Sequence, residues 1–244
     1  MGDLKDRRAR KKALTRELIR DAAHRLFAAN GFDAVTIADV AAEADVAVQT
    51  VFNHFATKEE LFFAERAEWV DAAAAAVRSR PEGVAPLSAL RTHLRATVHW
   101  YLRQLTDDAQ MRAMIATLEA SPSLVSYERE LHHESVRRLS EALIEACPEG
   151  DSAVTGAPPS IGLRSSARLT AAVWLAAIHA LIIEQRAELT EAVGAVEATA
   201  AIERLADQMM SQFEANPSIV LCCPPVTAER PHAAGWPADV RRAV

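Results

Sequence analysis

Gln49 and Asn53 stand four residues apart, with Thr50 between them and Val48 just ahead. Each amide side chain carries a donor and an acceptor side by side. That pair can bond N6 and N7 of adenine through two hydrogen bonds. Thr50 can bond a base edge or a phosphate oxygen. Val48 can meet a thymine methyl. Equally, Val48, Val51, Phe52 and Phe55 fall at i, i+3, i+4 and i+7, the spacing of a buried helix face. His54 has the same two readings, packing or a phosphate contact. Thr36 and Lys58 stand where helical segments begin, and free N–H groups and the helix dipole favour a phosphate there. Lys58 adds a full positive charge. Phosphate contacts fix register, and base contacts then supply sequence preference.

These residues need short rigid elements to present them. Thr36 is a good N-cap for Ile37 to Ala44, and Asp39 puts a carboxylate in the first turn. Asp45 breaks the pattern, and a second short helix is expected over about Ala47 to His54. Val40 and Ala41 pack the first, and Val46, Val51 and Phe55 anchor the second. Two short helices joined by a tight turn make a helix-turn-helix, whose second helix suits a major groove about 12 Å wide. Upstream, Leu14, Leu18, Ala22 and Leu26 recur at i+4, with Ile19, Ala23 and Phe27 beside them, in a helix that ends at Asn30-Gly31. Downstream, Thr57 to Glu60 reads as a capping box opening a helix to about Ser79.

Beyond the Pro81–Pro86 linker, helical patterns cover 87–105, 108–119, 122–147, 165–189 and 195–214. A long loop over 148–164 separates the third of these from the fourth. No strand is expected, so the fold class is all-α. Residues 1–12 read as a basic disordered arm. The stretch 215–244, with five prolines, reads as an irregular tail.

Composition agrees with helices. Half of the 244 residues are hydrophobic, aromatics are 5%, and glycines number only 8. The net charge is -6, which excludes a protein that coats nucleic acid through bulk charge. Yet residues 1–25 hold nine bases (Lys5, Arg7, Arg8, Arg10, Lys11, Lys12, Arg16, Arg20, Arg25) against four acids. A basic end on an acidic body implies a local anionic partner. The arm either solubilises the chain or inserts Arg7, Arg8 or Arg10 into a minor groove. The N-terminus is charged, with no apolar leader. The apolar run Ala171 to Ile183 falls short of the roughly 20 residues of a membrane span, so no membrane partner is expected. Cys147, Cys222 and Cys223 form no framework of spaced pairs, which fits a reducing cytoplasm.

Motifs for catalysis are missing: there is no G-x-S-x-G, no phosphate-cradling glycine loop and no H-E-x-x-H. An enzyme is therefore not expected, nor a cofactor. His132 and His133, with Glu128 four residues before His132, lack further ligands nearby, and read as a solvated helix surface rather than a metal site. Trp100, Tyr101, Met111, Met114, Leu118, Trp174 and His179 lie on the middle helices. They can line an adaptable apolar pocket or serve as ordinary core.

Residues 13 to 63 resemble the DNA-binding domain of the TetR family of bacterial regulators. The likeness is carried by Leu26-Phe27-Ala28-Ala29-Asn30-Gly31-Phe32 and Val35-Thr36-Ile37-Ala38-Asp39-Val40-Ala41. It continues through Val46, Thr50-Val51-Phe52-Asn53-His54-Phe55 and Thr57-Lys58-Glu59-Glu60-Leu61. This covers about a fifth of the chain. The resemblance implies a homodimeric repressor that leaves a DNA operator when a small molecule binds its C-terminal domain. It also implies that the last two long helices form a four-helix interface. On that basis residues 13–60 are a DNA-binding domain and 61–214 a ligand-binding and dimerisation domain. The DNA-contacting set is Thr36, Val48, Gln49, Thr50, Phe52, Asn53, His54 and Lys58.

Three positions depart from the family pattern. Asp45 replaces the usual glycine, and aspartate tolerates a left-handed turn better than most residues. Ala47 replaces a small hydroxyl residue, so a cap is lost unless Asp45 supplies it. Phe52 replaces a tyrosine, removing a phenolic bond to phosphate. The leading reading is a ligand-released repressor on a palindromic operator. The alternative is a helical dimer acting through protein or small-molecule contacts without specific DNA reading.

Overall fold

The computed structural model describes residues 2–64, 69–147, 163–191 and 195–215. Every regular element among them is an α-helix. In chain order they are α1 (Gly2–Asn30), α2 (Ile37–Glu43), α3 (Val48–Phe52), α4 (Lys58–Phe62), α5 (Trp69–Arg78), α6 (Pro86–Asp107), α7 (Ala109–Ala120), α8 (Pro122–Ala146), α9 (Leu163–Glu191) and α10 (Ala195–Ala215). The expected 148–164 loop falls almost wholly, and the Pro-rich tail from 216 wholly, outside the described residues.

The expected arm is helical instead: α1 is continuous from Gly2. Ala, Arg, Lys and Leu all have high helix propensity, and a helix already nucleated by packing further along extends through them at little cost. The packed face of α1 is also shifted. Ile19, Ala22, Ala23 and Phe27 are buried, while Leu14 and Leu18 are 59% and 49% exposed. Successive i+4 steps drift about 40° around a helix with 3.6 residues per turn. The row through Leu14 and Leu18 therefore rotates away from the core that Ala22 reaches.

Helix α1 stops at Gly31, whose φ of +78° needs a residue without Cβ strain, and whose N–H bonds the Phe27 carbonyl at 2.9 Å. Phe27, Phe32 and Phe62 then form an aromatic triangle with centroids 5.1 to 5.9 Å apart. The helix expected from Thr57 to Ser79 is two elements, α4 and α5. Phe62 and Phe63 are buried in the N-terminal core, whereas Ala73, Ala74 and Val77 belong to the C-terminal one. One straight rod cannot serve both.

In the C-terminal body α8 packs against α5 and α9, and α6 against α5, α9 and α10. Leu90, Leu94, Val98, Leu102 and Leu105 make the buried stripe of α6, in one core with the fully buried Trp174 of α9. Within α9, Leu163–Ile183 holds an 18-residue window of mean hydropathy 1.7 and meets the length and composition of a membrane span. That run is longer than Ala171 to Ile183, because it also takes in residues 163–170, Arg164 and Arg168 among them. One third of that window is buried in the bundle, where α9 packs against α6, α8 and α10.

The two cores meet at the corner between α7 and α8. Asp108 caps α7 by accepting from the N–H groups of Gln110 and Met111 at 2.8 and 3.2 Å. Pro122 opens α8. Leu118 and Leu124, on either side of the corner, are fully buried in the N-terminal core. Tyr127 stacks on Phe63 at 5.4 Å, and buried Ser121 donates to Asp33 at 3.0 Å.

Candidate nucleic-acid interface and effector region

Helices α2 and α3 are joined by a turn in which Asp45 takes φ +51°, the one non-glycine residue with positive φ among the described residues. Asp45 N–H bonds Ala42 O at 3.2 Å and Val46 N–H bonds Ala41 O at 2.9 Å, so the carbonyls at the end of α2 are satisfied. Thr36 and Asp39 form a reciprocal capping box at the start of α2. Thr36 Oγ1 also donates to Asp39 Oδ2 at 2.7 Å, which holds that carboxyl below its ordinary value. The Thr36 hydroxyl thus bonds within its own helix.

Helix α3 is shorter than the expected 47–54. It anchors through Val51, and Phe55 is buried beyond its end. The opposite side is open: Val48 is 42% and Phe52 48% exposed, and Gln49 and Asn53 are exposed beside them. Between the two readings of Val48, exposure decides against core. Thr50 is half-buried at the edge of this face. Gln49 Nε2 donates to Asn53 Oδ1 at 3.3 Å, which aligns the two amides along one row. Ala47 occupies the N-cap with no side-chain cap bond, so Asp45 does not replace the missing hydroxyl. Ala47→Ser is expected to restore a cap worth about 1 kcal/mol. Thermal melts should then rise by about 2–4 °C.

His54 and Lys58 are both half-buried. The His54 ring is half-buried against Phe55, and its Nδ1 has no hydrogen-bond partner among the described residues. Burial, with the charges of Lys12 and Arg16, holds its pKa below the ordinary imidazole value. Lys58 donates its ammonium to Phe32 O at 2.9 Å and Val35 O at 3.0 Å, and sits 4.2 Å from the Phe32 ring centre. Two of its three N–H groups therefore tie α4 to the α1–α2 connection. Arg16 was not foreseen as part of this site. It donates to the His54 carbonyl and lies 4.0 Å over the Phe55 ring, buttressing the end of α3. The His54 carbonyl lies 38 residues further along the chain, beyond any local spacing rule.

Residues 19–64 match the model of the bacterial regulatory proteins, tetR family. Over this segment the chain is similar to the DNA-binding domain of that family. The chain is also similar to the HTH-type transcriptional regulator TcmR of Streptomyces glaucescens, 35% identical over 147 residues. That match takes in 59% of this chain and 64% of TcmR, under two thirds of the relative's length. Among solved structures, the SmeT–triclosan complex superposes with TM-score 0.50 at 19% identity, covering 83% of this chain and 91% of SmeT. Salmonella enterica GusR gives 0.47 at 19% identity, covering 82% and 94%. At 19% identity the likeness to SmeT concerns the fold alone.

Outside the segment that matches this family model, the seven residues expected around an effector are dispersed. Trp100 is 53% exposed. Met114 and Leu118 pack with the head core, whereas Tyr101, Met111 and Trp174 pack with the body core. Two clefts, of about 220 and 460 Å³, lie between α6 and α10 around Arg95 and Asp207, and none of the seven lines either. Trp174 Nε1 is buried without a hydrogen-bond partner among the described residues.

His179 belongs to a polar seam that the sequence did not reveal. Arg186, only 4% exposed, donates to Glu119 of α7 at 2.7 Å and to Glu128 of α8 at 3.2 and 3.5 Å. Further along the same helices, the rings of His132 and His179 lie 4.5 Å apart. His132 and Glu128, read as a solvated surface, instead face α9 because the i+4 row of α8 meets the Arg186–His179 row. Among the described residues no group of three or more His, Cys, Asp or Glu is arranged to hold a metal ion.

Burial, reinforced by the charges of His179 and His133 and opposed by Glu128, lowers His132 from 6.5 to about 4. Burial, with the charge of Arg186, lowers His179 too. An imidazole with a depressed folded pKa binds fewer protons folded than unfolded. Its stabilising contribution is complete above pH 6.5 and is lost as pH falls toward about 4. Melts recorded across that window should show a falling midpoint, and His132→Gln should flatten the fall.

Proposed function

We propose that this chain is a DNA-binding transcriptional regulator acting as a homodimer. Each protomer lays α3 in a major groove, and a small hydrophobic or amphipathic molecule bound in the helical body releases the DNA. The observation that carries this reading is the uncovered face of α3. Amides and apolar groups stand there in the open, beside Arg16 and Lys12, where a folded chain would otherwise bury or charge them.

Dimerisation is supported by α9 and α10, which leave Leu169 and Leu205 about half exposed. A two-fold pair implies a palindromic operator with half-site centres about 34 Å apart, or a multiple. Base contacts belong to Gln49, Asn53, Thr50 and Val48. Phe52 offers an apolar contact, and Arg16 offers phosphate attraction. Coupling between effector and operator is typically about 1–3 kcal/mol, enough for a severalfold or larger change in occupancy.

Selection of bound duplexes from a random pool tests the reading. An enriched palindrome is the expected result, and the enriched duplex then serves to screen molecules that cause release. A chain that enriches no sequence lacks the proposed activity.

A further inference from the structure

We propose that the first turns of α1 are a second DNA-contacting element, a basic rod lying along the phosphate backbone beyond the half-site read by α3. This rests on the DNA-binding reading above. Every described side chain from Asp6 to Leu14 is exposed, and the first buried residue of the helix is Ile19. The rod therefore projects from the head, and no described residue buries its side chains.

Its charges form rows. Arg8, Lys12 and Arg16 recur at i+4, and Arg7 and Lys11 make the adjoining row. The inner end of the first row is fixed at the reading head, because Arg16 donates to the His54 carbonyl and covers Phe55. Lys12 and Arg16 both act on His54, which places their charge beside the end of α3. From there the row continues outward through the exposed Arg8. None of Arg7, Arg8, Arg10, Lys11 and Lys12 makes a side-chain ion pair or hydrogen bond among the described residues. Like charges on successive turns repel and destabilise a lone helix. A polyanion removes that repulsion, and the duplex held by α3 is the polyanion within reach.

The geometry also decides which part of DNA is touched. A helix with its side chains is about 10–12 Å across, while the minor groove is about 6 Å wide. Residues 2–12 as a helix cannot thread that groove as an extended arm does. They span about 16 Å, the axial rise of four to five base pairs, and so meet phosphates flanking the half-site. Such contacts carry charge and no base information.

The test uses the full chain and a variant combining Arg7→Gln, Arg8→Gln, Lys11→Gln and Lys12→Gln. Circular dichroism and melting are expected to be unchanged, since all four side chains are exposed. Affinity is measured from 50 to 200 mM salt on a selected operator with flanks extended or trimmed by about five base pairs. The slope of log K against log salt should shrink by about 0.9 for each phosphate that the variant no longer neutralises. Operator and unrelated duplex should weaken by the same factor, and trimming the flanks should erase the difference between the proteins. An unchanged slope overturns the proposal, as does a weakening confined to particular flanking bases. Binding of the wild-type chain, but not the variant, to phosphatidylserine vesicles with DNA affinity untouched would assign the rod to a membrane surface instead. If the unaltered chain binds no duplex at all, the DNA-binding reading itself fails and takes this proposal with it.

Discussion

Replacing Arg186 with methionine is expected to lower the thermal unfolding midpoint by about 10 °C. Arg186 is 4% exposed and Glu128 9%, so the variant leaves a carboxylate buried without its cation. Breaking a buried ion pair from one side costs about 3–5 kcal/mol, and each kcal/mol moves the midpoint of a domain this size by about 2–4 °C. The second change, Glu128→Met, should recover most of the loss, because an apolar pair of similar volume needs no solvation. Glu119 stays partly in water and adds little penalty of its own. Melts of the two single variants and the pair close a double-mutant cycle. A single variant as stable as the parent would show that Arg186 does not hold the seam.

The second large effect concerns binding. Gln49→Ala together with Asn53→Ala should weaken a selected operator about 100-fold, from roughly 1–3 kcal/mol for each bidentate base contact. Affinity for unrelated duplex should hardly change, since no cation is removed. Both side chains are exposed and bond each other at 3.3 Å, so the fold loses little. Equal weakening on operator and random DNA would show that these amides do not read bases.

Local chemistry made much of this architecture legible. The start of α6 at Pro86, the Asp108 cap of α7 and the start of α8 at Pro122 mark helix boundaries by the conformations those residues allow. The Asp45 turn was readable because few side chains tolerate positive φ. The open amides of α3 followed from an apolar row on one side of a short helix. Legibility ended where long-range packing decided. Lys58 bonds carbonyls 23 and 26 residues earlier, and Arg186 pairs across 58 and 67 residues. Such charges look like solvated helix surface until the helices are assembled. The basic segment before Arg16 misled for another reason. Charge density argued for disorder, while propensity and an already packed helix argued for continuation, and the second prevailed.

The corner between α7 and α8 bears on engineering. Because Leu118 and Leu124 fill the head's own interior, a fragment cut near Ala64 would carry a solvent-filled hole beneath Phe62 and Phe63. The reading head is therefore not a portable cassette. A chimaera that transplants it onto another helical body must bring the segment from Leu118 to Tyr127 along, or rebuild that plug in the recipient.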